Sequence, residues 1–329
     1  MVLGLGFTQQ LVLAILSLGA LVYGAEKAVD KMEGIAAYLG IPDVLIAMSV
    51  ISIGTSLPEL ASHIIASTGI LTGSLSYEVA SAAVLGGNIG SDVIQQTLVI
   101  GVVVIGVGGL QFKKSFLKKD YLPMIGTTLM TMILAWDGVL SRIDGLVLFG
   151  SFVTYMAYLY YSKHERLNHE ATPSQNIKLD SLIGVTALSV VLVSAHIILD
   201  TTSLLIDKIG LGGSAIGVIT IGLAAALPEL FTAIEGLRQD AEGISLGTLI
   251  GSNITNPLLG IGLGSIMSTY WVPRPLVLWD LPMETVTAAL LLAYLLFVSD
   301  RKLGWKGGVY LICLYVFYLV IRFGFFAVD

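Results

Sequence analysis

Two short stretches of sequence decide the fold, GTSLPEL at residues 54–60 and AAALPEL at residues 224–230. Each lies inside a long apolar run, and both contain the core Leu-Pro-Glu-Leu. A second pair follows them, GSDVIQ at residues 90–95 and GSNITN at residues 251–256. Because the two motifs occur in the same order in both halves of the chain, we infer an internal repeat.

The composition is that of an integral membrane protein. The chain has 329 residues, of which 55% are hydrophobic and 12% charged, and its mean hydropathy is +0.88. Soluble domains carry about 25% charged residues. A membrane-spanning helix needs about 20 apolar residues, and we therefore predict an all-α protein with ten transmembrane helices. The predicted spans are residues 6–25, 43–66, 79–107, 121–136, 144–162, 181–205, 212–234, 243–268, 276–298 and 305–326.

The distribution of basic residues predicts the orientation in the membrane. If the loops alternate between the two sides, all but four of the 17 Lys and Arg residues fall on one side. That side is expected to be cytoplasmic, which places both termini outside a plasma or inner membrane. The four exceptions are Arg142, Lys208, Arg274 and Arg322.

A polar stretch divides the chain into two halves of five spans. We predict a first half at residues 1–162, a cytoplasmic linker at residues 163–180, and a second half at residues 181–329. Because five is odd, the second half has to cross the membrane in the opposite sense to the first. Inverted repeats of this kind are typical of secondary transporters, whose substrate site lies near the midplane between the repeats.

Glu59 and Glu229 occupy matching places in the two halves. Each lies well inside an apolar span that has no nearby Lys or Arg, where an ionised carboxylate is costly. Two carboxylates facing each other repel unless a proton or a cation lies between them, and a divalent cation neutralises both. The alternative interpretation is a protonated, hydrogen-bonded Glu in each helix.

Proline supplies further oxygen ligands near these carboxylates. Because proline has no amide hydrogen and displaces the carbonyl four residues earlier, Pro58 is expected to free the carbonyl of Gly54. Pro228 is expected to free that of Ala224. A bound cation is one partner that such carbonyls can find inside lipid.

Hydroxyl and amide side chains complete a set of oxygen ligands. Residues three or four apart share one face of a helix, which groups Thr55 and Ser56 with Glu59. Oxygen ligands suit Ca²⁺ or Na⁺ better than Zn²⁺ or copper. The same spacing pairs Ser91 with Gln95 and Ser252 with Asn256.

The repeated motifs resemble the α-repeats of the sodium/calcium exchanger family, part of the calcium/cation antiporter superfamily. The resemblance covers residues 43–100 and 212–262. It implies one central cluster that holds one Ca²⁺ or several Na⁺ in turn, with Glu59 and Glu229 as its central carboxylates. It also implies hydroxyl ligands at Thr55, Ser56, Ser91 and Ser252, and amide oxygens at Gln95 and Asn256.

The sequence departs from the family pattern in several places. Residues 224–226, all alanine, replace the usual Gly-Thr-Ser, so two hydroxyl ligands of a sodium site are missing. Gly87 and Thr248 replace the usual Asn. Two further polar residues have roles that stay open: Asp92 next to Ser91, and His63, which either relays a proton or is a neutral, hydrogen-bonded residue between helices.

These observations predict a secondary antiporter that exchanges Ca²⁺, or a similar divalent cation, for Na⁺ by alternating access. The alternative counter-ion is H⁺, which the missing hydroxyls favour. A cation channel is the next alternative, and an enzyme is not expected. The expected partners are the transported cations and the lipid bilayer, with no cofactor and no nucleic acid, while the oligomeric state stays open.

Overall fold

The structure is a computed structural model that describes residues 7–40, 54, 56–161, 172–238 and 242–329. These residues are predominantly helical. Five of the helical runs contain a π-helical turn, at Gln95–Val99, Leu117–Tyr121, Val218–Gly222, Asn256–Ile261 and Leu276–Asp280. The runs are α1 (Phe7–Tyr38), α2 (Leu57–Thr72), α3 (Tyr77–Gly106), α4 (114–134), α5 (Arg142–Tyr161), α6 (Ile177–Ile209), α7 (213–238), α8 (242–268), α9 (Leu276–Phe297) and α10 (Trp305–Phe325).

Six helices of the described part are long and apolar enough to cross a membrane. They confirm six of the predicted spans. The other four, at residues 43–66, 121–136, 144–162 and 243–268, stay predictions. The six are Phe7–Met32, Tyr77–Gly106, Ile177–Ile209, Gly213–Leu230, Leu276–Phe297 and Trp305–Phe325.

The first helix is longer than its sequence predicted. Residues 26–38, expected in a loop, continue α1, which has 32 residues. It packs along α6, which has 33 residues. Such helices measure roughly 50 Å at 1.5 Å per residue, so their charged ends extend beyond a hydrocarbon core of about 30 Å. There Lys31 Nζ lies 3.2 Å from Asp180 Oδ1, and the Ser174 amide donates to the Gly34 carbonyl at 2.9 Å.

The helix that carries the first Leu-Pro-Glu-Leu motif differs from the predicted span 43–66 at both ends. Gly54 is helical, Ser56 lies in a turn, and α2 begins at Leu57. Pro58 therefore lies in the first turn of a helix, where no amide hydrogen is needed, and not in a helix interior as predicted. At the other end α2 continues to Thr72, and Gly73 ends it with a φ of 73°, a conformation that glycine adopts without strain.

Two short antiparallel strand pairs lie at opposite ends of the helices. Strand β1 (Gly109–Gln111) pairs with β4 (Lys302–Gly304), and β2 (Val139–Leu140) pairs with β3 (Tyr270–Trp271). Helix α9 connects β3 to β4, and its 22 residues span about 33 Å. The two strand pairs are therefore separated by about the thickness of a membrane core.

Glycines bring the helices into close contact. A Cβ on Gly90 would lie 2.8 Å from the Val218 Cα, and one on Gly87 would lie 2.5 Å from the Ile221 side chain. These contacts fit the close approach of helices that small residues allow in membranes. Because Ile221 fills the space beside Gly87, an asparagine at this position would not fit without moving α7.

The molecule has an apolar exterior and a polar interior. Ile15 and Phe297 are 69% and 84% exposed, while Glu59, Asp92 and Glu229 are buried. This is the reverse of a water-soluble domain, where ionisable residues lie outside. Lipid around the helices accounts for the arrangement, since ionisable residues within a membrane face the interior of the bundle.

Candidate cation site

Two buried carboxylates from different halves of the chain lie close together. Glu59 of α2 is 1% exposed and Glu229 of α7 is 0% exposed. They are near enough to repel each other electrostatically. Within the described residues neither forms an ion pair with Lys or Arg. The arrangement therefore places two acidic side chains in the interior without a basic partner among the described residues.

Hydrogen bonds orient one of the two carboxylates. Ser91 Oγ donates to Glu59 Oε1 at 3.0 Å, and Asn256 Nδ2 donates to the same oxygen at 3.2 Å. Gln95 Nε2 donates to Ser91 Oγ at 3.0 Å, and Ser252 Oγ donates to Gln95 Oε1 at 2.5 Å. This chain of side chains connects α2 and α3 of the first half with α8 of the second.

Several buried oxygens in the cluster have no hydrogen-bond donor among the described residues. Glu59 Oε2, both carboxylate oxygens of Glu229 and Asn256 Oδ1 are of this kind, and Ser56 Oγ is unpaired as well. A buried polar group without a partner costs about 1–3 kcal/mol, and more if it is charged. Cations or protons would supply the missing partners, and a cation would contact several of these oxygens at once.

Carboxylates alone do not form this site. In the described part of the chain, no three His, Cys, Asp or Glu side chains converge closely enough to hold a metal ion. A cation held here would therefore also need hydroxyl, amide or backbone oxygens. Such a mixed set is what Ca²⁺ and Na⁺ accept.

The structure brings most of the predicted ligands together, in ways that differ between residues. Five are joined by the hydrogen bonds above, and Glu229 adjoins them electrostatically. Gly54 and Ala224 are buried backbone positions, and a side chain on Gly54 would clash with Val29 of α1. Thr55 lies outside the described residues. The five joined residues are Glu59, Ser91, Gln95, Ser252 and Asn256.

The two prolines differ in their surroundings. Pro58 lies in the first turn of α2, whereas Pro228 lies inside α7. The carbonyl of Ala224 therefore cannot receive the usual helical bond from residue 228, as predicted. For Gly54 the predicted reason for a free carbonyl, a proline inside a continuous helix, does not apply. Ser56 lies in a turn, and α2 begins only at Leu57.

Two π-helical turns coincide with the amide side chains of the site. Gln95 begins the turn Gln95–Val99 in α3, and Asn256 begins Asn256–Ile261 in α8. A π-helical turn changes the direction of the side chains that follow it, and such turns are frequent at functional sites. These turns occur at equivalent places in the two copies of the second motif.

Asp92 faces the cluster. Asn256 Nδ2 donates to Asp92 Oδ1 at 2.8 Å, and Asp92 interacts electrostatically with Glu59 and Glu229. It also interacts with Glu284 of α9, a fourth acidic residue, which belongs to neither repeated motif. A Glu within the apolar stretch 276–298 was the signal that could have revealed it.

His63 is hydrogen-bonded between helices. Asn88 Nδ2 lies 3.1 Å from His63 Nε2, and His63 Nδ1 lies 3.1 Å from the Tyr270 hydroxyl. Because an amide NH₂ only donates, Nε2 is the acceptor and the ring proton is on Nδ1. The geometry thus fits a neutral histidine that donates to Tyr270, and Asn88 also donates to the Asn256 carbonyl at 3.2 Å.

The geometry defines a helical membrane protein with a buried cluster of carboxylate, hydroxyl and amide side chains. A family model described as "Sodium/calcium exchanger protein" matches residues 9–161 and 181–324. The chain therefore belongs to the sodium/calcium exchanger protein family, a family of transporters, and the resemblance inferred from its motifs is confirmed.

Individual proteins resemble the chain over nearly its whole length. It is 26% identical to the sodium/calcium exchanger MaX1 of Methanosarcina acetivorans, over 96% of this chain and 99% of MaX1. Among solved structures, the sodium-calcium exchanger NCX_Mj aligns with a TM-score of 0.64 and 22% identity, over 96% and 99% of the two chains. The H⁺/Ca²⁺ exchanger CAX aligns with a TM-score of 0.72 and 17% identity, over 94% and 82%. The two structural similarities show the fold alone.

Proposed function

We propose that this protein is a secondary antiporter that exchanges Ca²⁺, or a similar divalent cation, for Na⁺ by alternating access. The observation that carries the proposal is the pair Glu59 and Glu229, which is buried and has three carboxylate oxygens without a donor among the described residues. One Ca²⁺ would balance both charges. The names of MaX1 and NCX_Mj, both sodium–calcium exchangers, support the choice of ions.

The ligands of the proposed site come from both halves of the chain. Carboxylate, hydroxyl, amide and carbonyl oxygens would each contribute, so that the ion is held only when α2, α3, α7 and α8 are assembled. The proposed ligands are Glu59, Glu229, Thr55, Ser56, Ser91, Gln95, Ser252, Asn256 and the carbonyls of Gly54 and Ala224.

Charge provides the coupling between the two ion fluxes. Closing the site around two unpaired carboxylates would bury both charges without compensation, which costs several kcal/mol per ion. A loaded site avoids this cost. Only the Ca²⁺-bound and Na⁺-bound forms would therefore change access from one side to the other, and one ion would be exchanged for the other.

We further propose ten spans arranged as two halves, with the linker at residues 163–180 between them. Contacts between loops support this topology. The pairs β1–β4 and β2–β3 each join loops that the ten-span alternation assigns to the same side. The same is true of Lys31 with Asp180 and of the Gly212 amide with the Ala327 carbonyl.

Equivalent contacts support an inverted relationship between the halves. A Cβ on Gly101 of α3 would lie 2.8 Å from the Gly308 carbonyl of α10, and one on Gly145 of α5 would lie 2.7 Å from the Gly262 carbonyl of α8. Exchanging the halves converts one contact into the other. Helices α3 and α8 end at opposite strand pairs, so they run in opposite directions.

The proposed orientation places both termini outside the cell membrane and the linker in the cytoplasm. It follows from the distribution of Lys and Arg among the loops. Labelling of single cysteines introduced at residues 75 and 111 from either side would test it, because these positions belong to loops on opposite sides.

Ion flux in proteoliposomes tests the transport function. Purified protein is reconstituted with Na⁺ inside, and uptake of ⁴⁵Ca²⁺ is followed after dilution into medium without Na⁺. We expect uptake that depends on the outward Na⁺ gradient and is absent in vesicles that lack protein. Uptake that needs no gradient, together with single-channel currents, would instead identify a channel.

One observation favours H⁺ as the counter-ion. Helix α7 runs without interruption through residues 224–226, and alanine side chains there cannot coordinate Na⁺. Two carboxylates could exchange protons for Ca²⁺ without these ligands. Repeating the flux measurement with an outward H⁺ gradient and no Na⁺ distinguishes the two counter-ions. Uptake that is driven only by the pH gradient would refute Na⁺ as the counter-ion.

A further inference from the structure

Besides the central pair and Asp92, a fourth buried carboxylate has its own set of polar partners. Glu284 of α9 is 2% exposed. Thr128 Oγ1 of α4 donates to Glu284 Oε1 at 2.7 Å, and Gln96 Nε2 of α3 donates to it at 3.1 Å. Gln96 Nε2 also donates to Asn253 Oδ1 of α8 at 2.9 Å. Four helices thus converge on one buried polar cluster.

The interior holds more acidic side chains than one divalent cation would balance. Asp92 interacts electrostatically with Glu59, Glu229 and Glu284, which makes four buried acidic residues in one region. Ca²⁺ would compensate two of them. Within the described residues no Lys or Arg pairs with any of the four, and the buried Arg322 forms an ion pair with Asp280 instead.

The side-chain oxygen of Gln96 is an unsatisfied acceptor among the described residues, which indicates that this cluster lacks a ligand. Gln96 is buried, and its Oε1 has no hydrogen-bond donor among the described residues. Its amide nitrogen lies between two oxygens, Glu284 Oε1 and Asn253 Oδ1. The nitrogen and oxygen of an amide exchange places when the group rotates by about 180°. After that rotation, three side-chain oxygens face one another with nothing positive between them.

We propose that Glu284, Gln96, Thr128 and Asn253 form a second cation site, distinct from the Glu59–Glu229 site, and that it binds Na⁺. One carboxylate with amide and hydroxyl oxygens supplies a single negative charge, which a monovalent cation balances. Ca²⁺ sites usually contain more than one carboxylate. The cluster has no His or Cys to favour a transition metal.

The second site is connected to the first through one amide. Asn253 Nδ2 donates to Gln95 Oε1 at 2.7 Å, the oxygen that also accepts from Ser252. Rotation of the Gln96 amide would break its bond to Asn253 and so alter the ligands of the central site. A role for the second site in coupling rests on the proposed antiport. In that mechanism the second site would supply Na⁺ ligands in place of the hydroxyls that are absent at residues 225 and 226.

Equilibrium binding of ²²Na⁺ to the purified, full-length protein without Ca²⁺ tests the second site. The sharpest variant is Thr128→Val, which removes a ligand hydroxyl from a buried position. Its matched control is Thr131→Val in the same helix, because among the described residues the Thr131 hydroxyl bonds to the Thr127 carbonyl and to no other group. We expect Thr128→Val to weaken Na⁺ binding by about tenfold and Thr131→Val to leave it unchanged. Equal affinities for the two variants would overturn the proposal.

Glu284→Gln provides an independent measurement, because it removes the charge and keeps the shape. We expect the number of Na⁺ bound per chain to fall by one, with Thr285→Val as the folding control in the adjacent position. Unchanged Na⁺ stoichiometry, or an effect seen only on proton uptake, would refute a sodium site. Binding of ⁴⁵Ca²⁺ to the wild type and to Glu59→Gln is measured separately, so that failure of the central Ca²⁺ site is distinguished from failure of this one.

Discussion

The two copies of the Leu-Pro-Glu-Leu core have the same acid but different backbones. In the first copy Ser56 lies in a turn, and α2 begins at Leu57. In the second, α7 continues through residues 224–226 and past Pro228. Alanine has the highest helix propensity, whereas glycine and serine lower it. The comparison teaches that substitution by alanine removes hydroxyl ligands and also favours a continuous helix.

The two carboxylates also differ in the hydrogen bonds that they accept. Glu59 accepts hydrogen bonds from Ser91 and Asn256, while both oxygens of Glu229 lack a donor among the described residues. Glu59 is therefore held in one orientation by its neighbours. Glu229 depends more on packing, and on the bound ion, for its position.

The largest expected effect comes from neutralising either carboxylate. Glu59→Gln and Glu229→Gln should each lower Ca²⁺ flux by about 100-fold, because each removes half of the charge that holds a divalent cation. Flux is measured in proteoliposomes, with Glu78→Gln as an exposed control. Normal transport by either variant would refute the paired-carboxylate site.

The two prolines should differ in importance. Pro228→Ala supplies an amide hydrogen inside α7 that can bond to the Ala224 carbonyl, and we expect about a tenfold loss of Ca²⁺ flux. Pro58→Ala changes the first turn of α2, where no helical bond is gained, and should alter flux by about twofold or less. Equal losses in the same flux measurement would contradict the distinction.

The two serines of the Gly-Ser motifs should also differ. Ser91→Ala removes a hydrogen bond to the Glu59 carboxylate and should weaken ⁴⁵Ca²⁺ binding by about tenfold, since bonds to charged groups contribute about 1.5–3 kcal/mol. Ser252→Ala removes a bond to the neutral Gln95 amide and should weaken it by about threefold. Ser189→Ala, at an exposed position of α6, controls for loss of a hydroxyl, and a larger effect at Ser252 would reverse the comparison.

The smallest expected effect comes from restoring hydroxyls to the second copy. Ala225→Thr with Ala226→Ser should lower the Na⁺ concentration for half-maximal exchange by about threefold. This effect is smaller than that of a complete ligand because both positions are buried, and overpacking a buried position costs about 1–3 kcal/mol. Ala233→Ser, about two turns later in α7, is the packing control. An unchanged Na⁺ response would show that the missing hydroxyls do not limit coupling.

Much of the fold was predictable because membrane helices have a strong hydrophobic pattern. Runs of about 20 apolar residues located six spans that the structure confirms, and the repeated motifs identified the family. The ends of helices were less predictable. The predicted span 43–66 stops before the end of α2 at Thr72. There the hydroxyls of Thr68 and Thr72 bond to the carbonyls four residues earlier and so remain compatible with a helix.

The candidate site was predictable where residues repeat and unpredictable where they do not. Glu59 and Glu229 are marked by their shared motif. Glu284 and Thr128 belong to no repeated motif, and only the packing of α4 and α9 against α3 and α8 brings them to Gln96. Sequence spacing predicts neighbours along one helix, and it carries little information about neighbours between helices.

The amino-acid sequence was sufficient to predict that this chain lies in a membrane, that it contains an internal repeat, and that each copy of one motif carries one acidic residue. Hydropathy and residue type can be read along the chain without knowledge of its folding. The tertiary structure alone decided which oxygens face those acids, which of them lack a donor, and that Asp92 and Glu284 enlarge the charged region. The physical reason is that burial and electrostatic interaction depend on distances between helices, which are set by how glycines and side chains pack.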